Sequence, residues 1–322
     1  MGAYLFAHFK EKTTPDGEQV YFGLSKDGYT WESVNGGEPV LWSKMGDEGV
    51  RDFCIARTRD NKFVILATDL SLANHFNGKY EGSWDVVNQK GSPYLSLWKS
   101  DDLINWSEQK LVRVVDDTFG CAWAPDIIFD EDKDQYMVHW SSVKKGDKDR
   151  RMAIYCAWTS DFETYSKPQL FARREGTQII DSNIVYDKGW YYRFIKWNTG
   201  EGHIYLERSK SLEIKNESGL AEDNGWENMP AFDKEMLKLE KGQYEAPTCF
   251  KMADGKWCVM LDFYGTPIKE EQGYVPFVAD DIATGCFVRS DQKFSFPYGF
   301  KHGTVMPITD EEYERIKNHY SR

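Results

Sequence analysis

Short apolar runs broken by polar turns recur from one end of the chain to the other. The clearest pair is Glu245-Ala246-Pro247-Thr248-Cys249-Phe250 and Trp257-Cys258-Val259-Met260-Leu261, joined through Ala253-Asp254-Gly255. An acid opens the first run, a turn follows, and an aromatic opens the second. That pattern predicts a β-hairpin with a short polar loop. The unit returns three more times. Asp52 leads Phe53-Cys54-Ile55-Ala56 to Phe63-Val64-Ile65-Leu66, Asp126 leads Ile127-Ile128-Phe129 to Tyr136-Met137-Val138, and Asp181 leads Asn183-Ile184-Val185-Tyr186 to Trp190-Tyr191-Tyr192. The acids step by 74, 55 and 64 residues, and the second aromatic follows each acid by 9 to 12 positions.

A second unit is offset from the first. A strand runs into Ser or Thr and Asp, then a turn and an aromatic: Ser25-Lys26-Asp27 with Trp31, Ser100-Asp101-Asp102 with Trp106, and Ser160-Asp161 with Tyr165. Ser209-Lys210-Ser211 is a degenerate fourth copy, and Arg289-Ser290-Asp291 with Phe294 reads as a fifth. Ser and Asp bond locally to the backbone, which suits them to turns. Four acidic units against five turn units leave one inner strand to find, and Phe300–Pro307 fits it. The N-terminal strands (Tyr4–Phe9, Gln19–Leu24 and one near Val40) then complete a sheet with that C-terminal strand. The expected fold is all-β: residues 1–322 as a single five-bladed β-propeller, a ring that leaves no long free edge. The best helix signal is Asp310–Lys317 with Thr309 as N-cap. Ser71–Pro93, Asn216–Pro230 and Pro267–Val278 read as long loops, and Lys144–Arg151 as a solvated charge run.

Composition narrows the function. A net charge of −12 argues against nucleic acid. No apolar run approaches the ~20 residues that span a bilayer, so no membrane partner is expected. Six Cys form no C-x-x-C pair, and most lie in apolar runs. They read as buried thiols of a reducing compartment. A cytoplasmic protein is expected, the alternative being a periplasmic or secreted one with its signal removed. Met1–Phe6 is too short for a signal peptide. The 12 Trp, 18 Tyr and 19 Phe suit strands first, and sugar stacking second. Composition is silent on oligomeric state.

In a propeller the innermost strands line one axis, so the acids at their starts converge. Asp52, Asp126, Asp181, Glu245 and His302 would form a ring. Crowded carboxylates push each other's pKa values apart, as acid/base chemistry at a glycosidic bond requires. The plainer alternative is that each acid anchors its blade by accepting backbone N–H bonds.

Arg51-Asp52-Phe53-Cys54-Ile55-Ala56-Arg57, Trp123-Ala124-Pro125-Asp126-Ile127 and Tyr244-Glu245-Ala246-Pro247-Thr248 resemble the three acidic motifs of glycoside hydrolase family 43. That family comprises five-bladed propellers acting mainly on arabinose- and xylose-containing glycans by inversion. The resemblance spans nearly the whole chain, including Ala67-Thr68-Asp69-Leu70 and Lys301-His302-Gly303-Thr304-Val305. It implies Asp52 as general base, Asp126 as the acid that tunes the pair, and Glu245 as general acid. One departure is Asp52-Phe53, where the family has Asp-Pro; the change would shift the local backbone or place an aromatic wall beside the base. Phe53, Trp123 and Tyr244 are candidates for stacking on sugar, Asp69 and Asp181 for binding its hydroxyls, and His302 for the axial histidine. Arg51 or Lys196 would neutralise the acids. No cofactor is required, and a calcium or other cation near the axis is compatible with the resemblance. The remaining histidines show no metal-ligand spacing.

The resulting expectation is an inverting exo-hydrolase that frees terminal α-L-arabinofuranosyl units from plant cell-wall oligo- or polysaccharides. β-Xylosidase, β-galactofuranosidase or galactanase activity on the same fold is the alternative. From a different class, a catalytically dead carbohydrate-binding propeller would not need Glu245. A protein-binding scaffold would carry Gly-His and Trp-Asp repeats, which are missing.

Overall fold

Alternation along β1 (Ala3–Phe9) explains why so much of the chain reads as unbroken apolar sequence. Every residue of this strand is buried. Ala3, Leu5, Ala7 and Phe9 share a core with Val50, Phe53 and Ile55, while Tyr4 and Phe6 pack with Phe250 and Met260. Both faces of the sheet are covered, so both sets of alternate side chains are apolar. The computed structural model describes residues 2–10, 14–146, 151–197, 203–239, 244–268, 271–297 and 299–321.

β1 pairs with β2 (Tyr21–Ser25), and β2 with β3 (Trp31–Ser33). The second sheet is β4 (Val50–Arg57), β5 (Phe63–Asp69), β6 (Tyr94–Ser100) and β7 (Lys110–Arg113). The third is β8 (Trp123–Asp130), β9 (Gln135–Ser142), β10 (Ala153–Thr159) and β11 (Gln169–Ala172). The fourth is β12 (Ile179–Asp187), β13 (Trp190–Trp197), β14 (Ile204–Ser209) and β15 (Glu227–Asn228). The fifth is β16 (Tyr244–Lys251), β17 (Trp257–Phe263), β18 (Gly273–Ala279) and β19 (Val288–Arg289). Last, β20 (Lys301–Ile308) pairs antiparallel with β1, placing Leu5 opposite Met306 and Phe6 opposite Val305. The N-terminal strands therefore close the first sheet with the C-terminal strand, as the repeat offset predicts.

β20, β4, β8, β12 and β16 are the innermost strands, and each touches the next around the ring, with β16 meeting β20 again. A separate apolar cluster fills each gap between neighbouring sheets. This is a closed five-bladed β-propeller. Where β20 bulges against β1, a Cβ on Gly303 would lie 1.9 Å from the Ala7 carbonyl oxygen, so only glycine fits the closure.

The Ser-Asp units end the third strand of each blade. The Ser25 hydroxyl accepts the Gly28 N–H at 2.8 Å and Asp27 accepts those of Tyr29 and Thr30; Ser100 with Asp102 and Thr159 with Asp161 repeat the arrangement. The fifth copy differs from the expectation. It is Ala279-Asp280-Asp281, after β18, whereas Arg289–Phe294 begins on the outermost strand β19. Val40 lies in no strand; Val20 and Leu41 form a lone bridge there. The expected loop Pro267–Val278 contains most of β18, and Ser71–Pro93 holds two short helices, α1 (Leu72–His75) and α2 (Trp84–Lys90). α3 (Pro230–Met236) precedes β16. α4 (Asp310–Tyr320) starts at Thr309 with a full capping box to Glu312. Part of Lys144–Arg151, residues 147–150, lies outside the described residues. Among the described residues no helix is long and apolar enough to cross a membrane.

Candidate active site

The innermost strands share a bulge near their start, and the bulge decides which side chains reach the axis. On β4 the pairing runs from Arg51–Thr68 to Cys54–Leu66, so two residues face one. β8 and β16 repeat this between Trp123 and Asp126 and between Glu245 and Thr248, and β12 has one extra residue between Ile180 and Ser182. One residue in each bulge is left-handed: Asp52 (φ 52°), Ala124 (φ 49°), Asp181 (φ 53°) and Ala246 (φ 52°). Such backbone costs about 1 kcal/mol or more at a non-glycine residue and re-aims the neighbouring side chains.

This register separates acids that look equivalent in sequence. Asp52 and Asp181 hold the left-handed position, and Glu245 stands one residue before it, level with Arg51, Trp123 and Ile180. Asp126 stands two residues after it, level with Cys54, Asn183 and Thr248.

Asp126 belongs to a different layer. Its carboxylate accepts the Cys54 thiol at 3.2 Å, the Ile184 N–H at 3.0 Å and the Asn183 amide at 3.2 Å, with His139 Nε2 at 3.4 Å. The same layer continues around the ring. Asn183 accepts the Cys249 N–H at 2.8 Å, Thr248 accepts the Val305 N–H at 3.1 Å, and the Thr304 hydroxyl donates to the Phe53 carbonyl at 2.5 Å. A closed belt of hydrogen bonds thus ties β4, β8, β12, β16 and β20 together, and Asp126 joins three of them.

At the mouth, above that belt, charges gather. Asp52 lies 3.1 Å from His302 Nδ1 and accepts the Thr68 hydroxyl at 3.0 Å. Glu245 Oε2 lies 2.9 Å from Lys196 Nζ, which also donates to the Tyr264 hydroxyl at 3.1 Å. Asp181 accepts the Ala246 N–H at 3.3 Å. Beside Glu245 on β17, Asp262 pairs with Lys301 at 2.8 Å, and its second oxygen is buried with no partner among the described residues.

Burial and mutual charge set the protonation of this group. Burial raises Asp181, and Glu245 and Asp52 add to it against His302 and Lys196, bringing it to about 6. Burial raises Asp262 to about 7 against Lys301, with Glu245 adding to the rise. Burial would raise Glu245 too, but Lys196, Lys301 and His302 outweigh it and hold this carboxyl below its ordinary value. Asp52 is also held low: His302, Arg51 and the Thr68 bond overcome its burial. Burial would depress His302, yet Asp52, Asp181 and Glu245 lift it to about 9. Near neutral pH the mouth therefore holds an Asp52–His302 ion pair and a Glu245–Lys196 ion pair, and on acidification Asp262 takes a proton first and Asp181 next.

The other candidates separate into mouth and scaffold. Trp123 is half-buried at the rim, and its ring meets Trp84 edge to face at 6.2 Å. Phe53 is no aromatic wall: the left-handed Asp52 turns it into the core between the first two blades, where it is 1% exposed. Tyr244 is likewise in the core, against Phe263 at 5.1 Å. Asp69 is buried beneath the 45–47 turn, accepting the Asp47 N–H at 2.8 Å and the Ser92 hydroxyl at 2.6 Å. It anchors a loop and is out of reach of a sugar. Arg51 pairs with buried Glu18 at 3.1 Å.

His302 does not fit as a direct cation ligand. Its Nδ1 is taken by Asp52 at 3.1 Å. Among the described residues no three His, Cys, Asp or Glu side chains are grouped to hold a metal. Thr68, Asp262, Tyr264 and Lys301 belong to the mouth and escape the sequence reading. Asp262 carried a signal, as an acid inside the apolar run Val259–Phe263.

Comparison with known proteins agrees with this architecture. Residues 1–314 match the profile of a family described as "probable glycosyl hydrolase domain". An α-L-arabinofuranosidase of Bifidobacterium longum is 26% identical over 318 residues, an alignment that takes in 88% of this chain. The chain spans only 28% of that relative's length. Among solved structures, an α-L-arabinanase of Cellvibrio cellulosa in complex with arabinohexaose superposes with a TM-score of 0.60 at 15% identity, covering 91% of this chain and 93% of that one. A xylan β-1,4-xylosidase from Bacillus halodurans gives 0.55 at 15% identity, covering 86% and 51%. At these identities the likeness is one of fold. The profile match over nearly the whole chain, on a five-bladed propeller with an acidic axial mouth, makes this chain a member of the glycoside hydrolase family 43-related glycosyl hydrolases.

Proposed function

We propose that the chain is an inverting exo-glycosidase that removes terminal α-L-arabinofuranosyl units from plant cell-wall glycans. The observation that carries the reading is the pairing of the two acids. Asp52 sits ionised against His302 on one innermost strand, and Glu245 sits against Lys196 on another. The α-L-arabinofuranosidase relative supports arabinose as the sugar.

In this reading Asp52 takes a proton from water as the water attacks the anomeric carbon, and its low pKa keeps it ready as a base. Glu245 gives a proton to the leaving oxygen. An inverting pair must leave room for that water, with carboxyls roughly 6.5–9.5 Å apart. Glu245 must carry a proton when the bond breaks, although Lys196 keeps it ionised in the free protein. A bound sugar excludes water from the mouth and offers Lys196 a hydroxyl oxygen, and both effects raise the Glu245 carboxyl. Asp181, which shares the crowded mouth, takes the tuning role that the resemblance gave to Asp126. Asp126 is reserved for the belt. Nothing in this reading requires a cofactor.

The test is a screen of 4-nitrophenyl α-L-arabinofuranoside, β-D-xyloside and β-D-galactofuranoside. Turnover of the arabinofuranoside above the other two supports the proposal. Preference for the xyloside would move the chain to β-xylosidase, and cleavage of none, with binding retained, would make it a carbohydrate-binding propeller. Glu245→Gln should lower turnover on the best substrate by about 10²–10⁴-fold, the usual contribution of a general acid.

A further inference from the structure

The connection from β5 to β6 is a folded base that presents an exposed indole. Leu70, Tyr80 and Val87 form its own buried cluster, with Phe76 and Trp123 packed against it. It is tied down on three sides. Buried Glu18 accepts the Ser71 hydroxyl at 2.8 Å and the N–H groups of Leu72 and Ala73. Asp47 accepts the Tyr80 hydroxyl and pairs with Lys79 at 2.7 Å. A Cβ on Gly120 would lie 2.0 Å from the Asn88 carbonyl oxygen, so α2 is pressed against the start of the third blade.

On this fixed base, Trp84 is 50% exposed. Its ring meets Phe76 at 5.7 Å and Trp123 at 6.2 Å with an 80° interplanar angle. Trp123 leads directly to the site. The next N–H, that of Ala124, donates to Thr68 at 2.8 Å, and Thr68 donates to Asp52 at 3.0 Å. An exposed indole on a mobile loop would lose freedom when it bound a ligand. One held by its own core loses little, so its apolar face is available at low entropic cost.

We propose that Trp84, with Trp123 as its inner edge, is a stacking subsite for a second sugar ring of the substrate, next to the one whose bond is broken. The C–H face of a sugar ring is apolar and flat enough to cover an indole, while its hydroxyls stay in water. The occupant is a glycan because the platform is continuous with the catalytic mouth. This rests on the glycosidase reading above. It adds that the chain acts on oligosaccharides better than on single-sugar glycosides.

The experiment compares wild type, Trp84→Ala and Trp84→Phe on an aryl monosaccharide and on an oligosaccharide of the same sugar. The ratio of kcat/KM values, oligosaccharide over monosaccharide, should fall about tenfold in W84A, the effect of no longer covering the exposed half of a large aromatic side chain. W84F should recover part of it, and the change should lie in KM. Binding of the oligosaccharide to Glu245→Gln, with and without W84A, by calorimetry reads the same contact without turnover. An unchanged ratio and unchanged affinity in W84A overturn the subsite. If wild type cleaves neither substrate but the affinity loss in W84A persists, the subsite stands and the hydrolytic reading fails. A thermal melt confirms that W84A is folded at the assay temperature; should W84A melt below it, W84F alone decides, with an unchanged ratio overturning the subsite.

Discussion

Lys196→Met isolates the electrostatics of the proposed acid. The side chain is 5% exposed and ends 2.9 Å from Glu245 Oε2. Methionine keeps most of its length and volume and removes the charge. An opposite charge at this range lowers a carboxyl by about one to three pH units, each worth about 1.4 kcal/mol. Without the ammonium, burial and the neighbouring carboxylates act on Glu245 with less opposition, so its pKa rises. The general acid must be protonated for turnover, and activity is lost as pH rises through its pKa. The alkaline limb of the kcat/KM profile, measured on a nitrophenyl glycoside that wild type cleaves, should therefore move to higher pH by at least about one unit. Stability should change in a matching way. A carboxyl held low in the fold contributes stability above its unfolded pKa and loses it as pH falls through the folded one. K196M should therefore be less stable than wild type at pH 7, by about 1–4 kcal/mol, with the gap closing below about pH 4. An alkaline limb that stays in place, or moves to lower pH, would refute the view that Lys196 sets the protonation of Glu245.

The remaining expectations concern other parts of the mouth and its scaffold. Asp181→Asn removes the carboxyl that takes up a proton at about 6, so the inflection this group adds to the kcat/KM profile near pH 6 should disappear. Asp126→Asn should act on the belt; chemical denaturation should show a loss of about 1–3 kcal/mol, because buried donors on two other strands lose their charged acceptor. His302, lifted to about 9, contributes stability that is complete below about pH 6.5 and lost as pH rises through 9. Melting temperature should therefore decline over that window in wild type and less so in His302→Gln. Gly303→Ala should disrupt ring closure, seen as loss of the cooperative thermal transition or a large fall in its midpoint, since the Ala7 carbonyl occupies the space the methyl needs.

Much of the architecture was legible because a propeller repeats itself. Acid-led hairpins and Ser-Asp turns recur at blade spacing, and their offset requires the N- and C-terminal strands to share a sheet. The local errors have local causes. Arg289-Ser290-Asp291 copies the turn unit in residue type but falls one strand late. Ala279-Asp280-Asp281 has the right place without the serine. The site was harder to read, because a one-residue change in a bulge decides which way a side chain points. Asp126, like Asp52, is followed by an apolar run, yet two residues of register move it from the mouth to the belt. Asp181, given a lesser role on sequence, shares the left-handed position of Asp52. Lys196 stood out in sequence only as a counter-charge and Asp262 only as an acid in an apolar run, and neither their partners nor that of Lys301 could be named from the strands they lie on. Their importance comes from cross-strand pairing with other blades, and no local pattern carries that.

The central claim is that Asp52 and Glu245 act as a base and acid on opposite faces of one glycosidic bond. The most direct measurement is the anomeric configuration of the sugar first released by wild type, followed by proton NMR from the start of the reaction on the best substrate. The inverted anomer should appear first and the retained one only as mutarotation proceeds. A retained anomer formed first would mean that a carboxylate attacks the sugar itself, and would contradict the claim.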